Sequence, residues 1–321
     1  MYGLLDEKPV PKDVTEVIIH PSDSSTTIKE FAFHGCRSLV RITMPDTVTH
    51  IEHYAFAGCD SLKYFQFSRN LVSIGRQAFW GCTSIQAIFL PPTVKHIYGG
   101  AFQLCESLRF FYVPEVIEHI GDRVVLGCDG LLTTVNYKFD YDDEVRYTMN
   151  NCEVNAWLMQ RNSKFPLHRA CSSTDVNPRG VEGCSQEHGI ERATEIDDQQ
   201  MMASHILCAN PHVTGDCIRA YLALVPGAAN EQDDTGTGMT GLHILCSLSR
   251  QDASTGYCIR AYLQLAPDAA EQEDSDGMTP FQHLCRNDVT FLDDRNFSSL
   301  MIWWYHCMPP QAETGKKRKR G

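Results

Sequence analysis

The sequence lacks the short motifs that mark many enzyme active sites. It contains no G-x-x-x-x-G-K-[ST] phosphate-binding loop, no H-E-x-x-H zinc motif and no G-x-S-x-G nucleophile motif. Its charged side chains are spread along the chain and do not converge on one segment. These absences argue against catalysis, and we expect a protein without a cofactor and without a small-molecule substrate.

Long apolar runs are also absent. No stretch approaches the roughly 20 apolar residues that a membrane-spanning helix needs. The segment Met1–Lys8 does not resemble a secretory leader. We therefore expect an intracellular protein without membrane contact. An extracellular, cell-surface adhesion role is the alternative, and it would require a leader.

The first third of the chain contains a 23-residue repeat. Several columns of apolar residues keep this period over roughly 100 residues, which indicates a solenoid. The clearest columns are Cys36, Cys59, Cys82, Cys105 and Cys128, then Phe33, Phe56, Phe79 and Phe102, then Ile28, Ile51, Ile74, Ile97 and Ile120. A single repeat, or rung, buries too little apolar surface to offset its conformational entropy, so neighbouring rungs must stack.

Each rung is predicted to contain one short, half-buried strand. In the segment 39–45, Ile42 and Met44 alternate with Arg41 and Thr43, and Pro45 ends the strand. The same pattern predicts strands within 62–67, 85–90 and 108–113. The Ala-Phe-x-Gly-Cys segment that follows predicts a compact helical corner. An imperfect first rung, with one extra loop residue, is predicted to be a cap.

The rung pattern L-x-x-I-x-x-P-x-x-V-x-x-I-x-x-x-A-F-x-G-C-x-S-L resembles the BspA-type leucine-rich repeat over about residues 14–135. The resemblance implies a leucine-rich repeat β-strand solenoid with a parallel strand on a concave face. It also implies binding of other macromolecules, and no chemistry. We take residues 1–135 as this domain.

The outward strand positions form the candidate binding surface of this domain. Parallel stacking aligns them into a ladder that is aromatic over its last three rungs. The candidate partner-binding residues are Arg41, Tyr64, Gln66, Phe89, Phe110 and Tyr112. An exposed aromatic patch usually marks an interface, which favours binding of a partner protein. The alternative is that the connector or the second half of the chain covers this face.

The second half of the chain holds a looser repeat. A short His- and Cys-containing piece recurs at intervals of 37, 38 and 39 residues, at Cys171, Cys208, Cys246 and Cys285. Between the copies lie two near-identical segments, 217–224 and 258–265, which predict amphipathic helices ended by Pro226 and Pro267. In the first copy, a matching helix is hard to see within 176–195.

The piece Asp276-Gly-Met-Thr-Pro-Phe281 resembles the beginning of an ankyrin repeat, although the period here exceeds that family's. The resemblance covers about residues 160–308. It implies an all-α ankyrin-like helical repeat array at 161–308, in which the recurring His forms a hydrogen bond within its turn. We further predict an acidic connector with a capping helix at 136–160. A last helix at 298–308 closes the stack, and residues 309–321 form a disordered basic tail.

Eleven of the 14 cysteines recur at fixed repeat positions, where a thiol behaves as a small hydrophobe. Adjacent strands lie within disulfide reach, so geometry does not exclude bridges between rungs. The missing leader favours reduced thiols. The His-x-x-Cys pairs, such as His205 and Cys208, lie on separate repeats. No metal site is predicted, because zinc needs its ligands at one point.

The negative charge belongs mainly to the second half. The net charge is -12, of which about -3 falls in residues 1–135, -14 in 136–315 and +5 in the last six residues. Two acidic turns predict projecting fingers that attract a partner with a basic surface. Their acidic residues are Glu231, Asp233, Asp234, Glu271, Glu273 and Asp274. A solvated turn is the alternative.

The C-terminal cluster fits a nuclear import signal, with the residues Lys316, Lys317, Arg318, Lys319 and Arg320. Its alternatives are a solubilising tail and weak nucleic-acid contact, which the acidic body opposes. The patterns together predict a non-catalytic scaffold or adaptor that binds other proteins through the strand face and the ankyrin-like groove. The alternative function is a nuclear regulatory protein with weak nucleic-acid contact.

Overall fold

A computed structural model describes residues 10–20, 26–114, 116–131, 165–188, 195–197, 201–248 and 253–286. The N-terminal part is a β-solenoid with two short strands in each rung. The first set comprises β1 (Glu16–Ile18), β3 (Arg41–Thr43), β5 (Tyr64–Gln66), β7 (Ala87–Phe89) and β9 (Phe110–Tyr112). The second set comprises β2 (Thr27–Ile28), β4 (His50–Ile51), β6 (Ser73–Ile74), β8 (His96–Ile97) and β10 (His119–Ile120).

The strand register confirms the 23-residue period. Arg41 lies opposite Tyr64 between β3 and β5, and Ala87 lies opposite Phe110 between β7 and β9, all in parallel. The three-residue strands fall inside the segments that the alternation predicts. Between β1 and β3, Glu16 lies opposite Arg41, so the first rung contains two extra residues and not one. The second strand set was not predicted.

The strand face is divided into two sheets, one of β1, β3 and β5 and one of β7 and β9. The third rung places Phe65 and Phe67 where neighbouring rungs place smaller residues, such as Ile88 and Leu90. The two rings pack edge to face at 4.8 Å, and Phe65 is only half-buried. We attribute the division to the volume of these two rings.

The solenoid core is a ladder of stacked rings. The rings of Phe33, Phe56, Phe79 and Phe102 stack with centroids 5.0, 5.0 and 5.2 Å apart. Beside them, the thiols of Cys59, Cys82, Cys105 and Cys128 each donate to the Phe carbonyl of the preceding rung, as Cys59 Sγ does to Phe33 O at 3.1 Å. The core therefore joins each rung to the next at a constant offset.

The predicted helical corner is wrong, because this segment consists of consecutive turns. Each corner contains two residues in the left-handed region, for example Tyr54 (φ 56°) and Gly58 (φ 71°). A right-handed helix cannot pass through such residues without interruption.

The C-terminal part consists of helices in two layers. The described helices are α1 (Pro166–Ser172), α2 (Pro178–His188), α3 (Ala203–Ala209), α4 (Gly215–Leu224), α5 (Gly241–Ser247), α6 (Ala253–Leu265) and α7 (Pro280–Arg286). Helices α1, α3, α5 and α7 stack in one layer, and α2, α4 and α6 stack in the other. Short 3₁₀ turns, Pro226–Ala229 and Pro267–Glu271, follow α4 and α6.

Local sequence explains where these helices begin and end. The Thr214 side chain caps α4 by accepting from the Cys217 amide, and Pro226 stops the helix two residues after its last residue, Leu224. The predicted apolar stripe of α4, which includes Ile218 and Tyr221, is buried. Helix α2 occupies the part of 176–195 where no helix was evident from sequence.

Candidate functional site

The outward strand face of the solenoid is covered at one end and open at the other. Phe89, Phe110 and Tyr112 are buried and belong to one apolar cluster with the helical part. The Phe89 and Tyr112 rings stack at 5.1 Å. Burying these rings removes a large apolar area from water. Of the two interpretations of this face, intramolecular cover describes these three residues, each of which is at most 4% exposed.

Arg109 fixes the helical part to the covered end. Its Nη2 lies 3.4 Å from Asp233 Oδ2 and donates to Thr237 Oγ1 at 3.0 Å, and its Nη1 lies 3.2 Å from Met239 Sδ. The Asp233 side chain is fully buried, whereas that of Arg109 is 22% exposed. Burial lowers the pKa of the Arg109 guanidinium, and the Asp233 carboxylate opposes that change. No local sequence pattern singles out Arg109.

The open end comprises the outward residues of β1, β3 and β5. These are Glu16, Ile18, Arg41, Thr43, Tyr64 and Gln66. Ile18 is 59% exposed. The Arg41 guanidinium lies 5.1 Å from the Tyr64 ring centroid, in cation–π geometry, and its Nε lies 3.6 Å from Glu16 Oε1. Three predicted partner-binding residues, Arg41, Tyr64 and Gln66, are thus brought together on the accessible end.

A cleft of about 320 Å³ separates this open end from the helical part. One wall consists of residues from β3, β5 and β7, including Tyr64, Gln66 and the edge of Phe89. The opposite wall consists of residues at the end of α3, at the beginnings of α4 and α6 and at the end of α5, including His212 and Ser254. Clefts of this volume lie at the lower limit of ligand-binding pockets.

The acidic turns differ from the predicted fingers in one respect. Glu231, Asp234, Glu271 and Glu273 are exposed, as predicted, whereas Asp233 and Asp274 are buried. Asp233 accepts from Thr235 Oγ1 at 2.8 Å and from Thr237 Oγ1 at 2.7 Å. The prediction that these two aspartates project towards a partner is wrong. Asp233 binds threonine hydroxyls of its own turn and Arg109, and Asp274 binds amides of its own turn and His283.

Asp274 stabilises its own turn. It accepts from the Met278 amide at 2.8 Å and from His283 Nε2 at 2.6 Å. Burial alone raises the pKa of Asp274, but hydrogen bonds from His283 and from the Met278 and Asp276 amides together lower it below its usual value. The carboxylate is therefore held ionised inside the turn.

The recurring histidines join neighbouring repeats. His205 Nδ1 accepts from the Met202 amide at 3.1 Å and its Nε2 lies 3.1 Å from Glu231 O in the next turn. His243 makes the corresponding bonds to the Thr240 amide and to Met278 O. The bond within the turn was predicted, and the bond to the next repeat was not. Burial lowers the pKa of both imidazoles, which keeps them neutral.

Within the part of the chain that the structure describes, no group of three or more His, Cys, Asp or Glu side chains is placed to hold a metal ion. The twelve described cysteines are free thiols. Burial raises the pKa of the Cys82 and Cys105 thiols well above the ordinary value of a cysteine, so these groups stay protonated. The rung cysteines are packing residues that also form hydrogen bonds.

Residues 236–241 have the spacing of a G-x-G-x-x-G dinucleotide motif. In the ranges described above, no βαβ unit surrounds this segment, and the helix that follows it, α5, has only seven residues. Gly236 (φ 86°) and Gly238 (φ 62°) instead shape the turn that reaches Arg109. The glycines belong to a structural turn.

Several predicted features lie outside the described residues. They are the connector and capping helix at 136–160, the last helix at 298–308 and the basic cluster 316–320. Among the described helices, none is long and apolar enough to cross a membrane.

Comparisons with known proteins concern the solenoid. Residues 13–153 match the family described as BspA type leucine rich repeat region, in six copies. Similar solved structures include the Treponema pallidum leucine rich repeat protein TpLRR, with 29% identity and a TM-score of 0.36. Others are a leucine rich cell surface protein from Faecalibacterium prausnitzii (24%, 0.37) and a leucine-rich repeat protein from Bacteroides ovatus (30%, 0.30).

The aligned regions cover 38%, 44% and 36% of this chain, and 57%, 36% and 38% of those chains. Each comparison thus spans less than two thirds of the similar protein. Among curated proteins, no match was found. The 23-residue period, the parallel register and the family match lead to one conclusion: residues 13–153 contain a BspA-type leucine-rich repeat region.

Proposed function

We propose that this protein is a non-catalytic protein-interaction module that binds its partner at the open end of the strand face and in the adjoining cleft. Proteins with leucine-rich repeats generally bind other proteins. The observation that carries the proposal is the unequal covering of the face. The helical part buries the aromatic end but leaves Ile18, Arg41, Tyr64 and Gln66 accessible beside a cleft.

The accessible residue types support this use. Tyrosine and arginine are over-represented among residues that dominate binding energy, and an apolar residue at the edge of such a patch adds buried area. Arg41 is already oriented by Tyr64 and Glu16, which reduces the entropy lost on binding. A partner that pairs with this surface would contact both the solenoid and the helical part.

We also propose that the helical part is an ankyrin-like array. Its two-layer stacking, its helix starts capped by Thr214 and Thr240, and the His bridges between repeats support this proposal. The exposed acids Glu231, Asp234, Glu271 and Glu273 are then available to a partner with a basic surface.

The test compares two matched triple variants of the full chain. The first is Arg41→Ala, Tyr64→Ala and Gln66→Ala at the open end. The control is Arg76→Ala, Tyr98→Ala and Gln103→Ala, which removes the same three residue types from a different surface of the solenoid. Circular dichroism confirms that both variants fold.

Proteins captured from a cell extract by the wild type are identified, purified and titrated against all three chains. We expect the open-end variant to lose at least about tenfold in affinity for a partner, because Tyr and Arg truncations commonly cost 1.4 kcal/mol or more. The control should bind like the wild type. Equal affinity of the two variants for every purified partner would contradict the proposal.

A further inference from the structure

The cleft has a charge opposite to that of the chain around it. The protein carries a net charge of -12. Among the described residues that line the cleft, however, none is acidic, whereas Arg41, Lys63 and His212 are present. Hydroxyl and amide groups, including those of Thr43 and Gln86, supply most of the other polar atoms. The cleft therefore offers cations and neutral polar groups but no carboxylate of its own.

We propose that the cleft binds an acidic segment of a partner protein, in which Asp or Glu side chains alternate with aromatic or aliphatic ones. This inference rests on the proposed function and deepens it by naming the chemistry of the partner. An extended segment points successive side chains in opposite directions. Its carboxylates can then meet Arg41 and Lys63 while its apolar side chains meet the ring-lined wall.

Arg41 provides the anchoring charge of the site. Its side chain is 22% exposed and lies against the Tyr64 ring, so solvent screens it less than a fully exposed lysine. Its partner Glu16 is 56% exposed, which places that ion pair at the solvent edge. Ion pairs of this kind are weak, and an incoming carboxylate can compete with Glu16 for the planar guanidinium.

The apolar wall accounts for the alternating pattern. Tyr64, Phe65, Phe67 and Phe89 all line the cleft on its strand side. Phe67 and Phe89 are nearly buried, so the half-buried Tyr64 and Phe65 supply most of the accessible ring surface. A volume of about 320 Å³ accommodates two or three side chains and not a folded domain. A short acidic run with an aromatic residue matches both the charge and the size.

The probe is the peptide Glu-Tyr-Glu-Leu-Glu-amide with fluorescein on its N-terminal amine, measured by fluorescence anisotropy with the full chain. Its matched control replaces the three glutamates by glutamine. We expect the acidic peptide to bind at least about tenfold more tightly at 50 mM salt, and to lose most of that advantage at 500 mM.

Two charge reversals locate the site. Lys63→Glu removes a cation from the cleft, and Lys29→Glu makes the same change in net charge on an exposed turn elsewhere. We expect Lys63→Glu to weaken the acidic peptide about tenfold and Lys29→Glu to weaken it by less than twofold. Equal effects of the two variants, or equal affinity for the two peptides, would overturn the inference.

A ten-residue thymidine oligonucleotide tests whether the cleft binds nucleic acid in preference to an acidic peptide. Tighter binding of this oligonucleotide than of the acidic peptide, with the same sensitivity to Lys63→Glu, would overturn the inference in favour of nucleic acid. The inference and the proposed function can fail separately. If the open-end triple variant loses its protein partner but neither peptide binds, the proposed interaction site is supported and the proposed acidic ligand is rejected.

Discussion

The solenoid and the helical part solve the same stacking problem with different groups. In the solenoid, backbone ladders and ring stacking join each rung to the next at an offset of 23 residues, and thiol hydrogen bonds do so at an offset of 26. In the helical part, imidazole side chains make the connection, as between His243 and Met278 O. A backbone ladder keeps its register only if extra residues, such as the two in the first rung, lie in a loop between the paired strands. A side-chain bridge accepts extra residues in the turn that it reaches.

This tolerance of a longer turn allows the contact between the two parts. Asp274 and Met278 are four residues apart, and so are Asp197 and Met201. The turn that begins at Asp233 closes on Met239, two residues later than in its neighbours. This longer turn carries Thr237 to Arg109. The irregular repeat, and not a regular one, therefore holds the helical part over the aromatic end of the strand face.

The largest expected effect comes from breaking this contact. Arg109→Ala leaves the buried Asp233 carboxylate without its cation, and we expect a loss of about 3 kcal/mol in the free energy of unfolding. Asp233→Ala should have a similar effect. Because each single change leaves an unpaired charge, the double variant should cost less than the sum. Urea unfolding followed by circular dichroism at 222 nm measures all three variants.

Arg219→Ala is the matched control, since it removes an arginine from an exposed ion pair with Asp216 in α4. We expect it to cost at most about 0.5 kcal/mol. Strictly additive effects of Arg109→Ala and Asp233→Ala would show that the pair does not couple the two parts.

Sequence alone was enough to predict the solenoid, because a period that recurs in phase at several columns leaves one register. The strands at Arg41, Tyr64 and Phe110 fall where alternation places them. The second strand set was missed since two residues, such as His50 and Ile51, are too short to show alternation. The corners were mistaken for helix because left-handed backbone at a non-glycine residue such as Tyr54 leaves no sequence signal.

The candidate site was predictable only in part. The outward positions of the strand face followed from the pleat, but which of them stay accessible depends on the helical part. Arg109 and Asp233 are 124 residues apart, and no local pattern links them. Only the extra residues in the turn 233–239 distinguished this repeat from its neighbours. Their significance appears once the two parts pack together.

A smaller expected effect is a pH dependence of stability that belongs to the helical part and not to the solenoid. His205 and His243 are neutral when folded because burial lowers their pKa, whereas in the unfolded chain the pKa is about 6.5. Above that value both states are neutral and stability does not change. Below it the unfolded state binds protons first, so stability falls with pH. Each histidine contributes at most about 1.4 kcal/mol per pH unit.

Helix unfolding at 222 nm, measured in urea between pH 7.5 and 5.5, should show this loss. The fourth repeat supplies the control, because Gln282 Oε1 accepts from the Thr279 amide at 2.8 Å without titrating. His205→Gln with His243→Gln should therefore retain helix and lose most of the pH dependence. An unchanged slope in that variant would assign the pH dependence to other groups.

The smallest effect tests how strictly the solenoid requires its corner residue. Gly81 has a φ of 69°, and an added Cβ there would meet nothing within 4 Å, so Gly81→Ala changes only the backbone preference. We expect a loss of about 1 kcal/mol in the free energy of unfolding.

Leu104 occupies the same corner position one rung later with φ 61°. Leu104→Gly relieves a similar strain, so we expect it to be neutral or stabilising, by up to about 1 kcal/mol. Urea unfolding of both variants measures the pair. If Leu104→Gly destabilised as much as Gly81→Ala, the Leu104 side chain would be contributing packing that outweighs its strained backbone, and the corner would be less uniform than its period suggests.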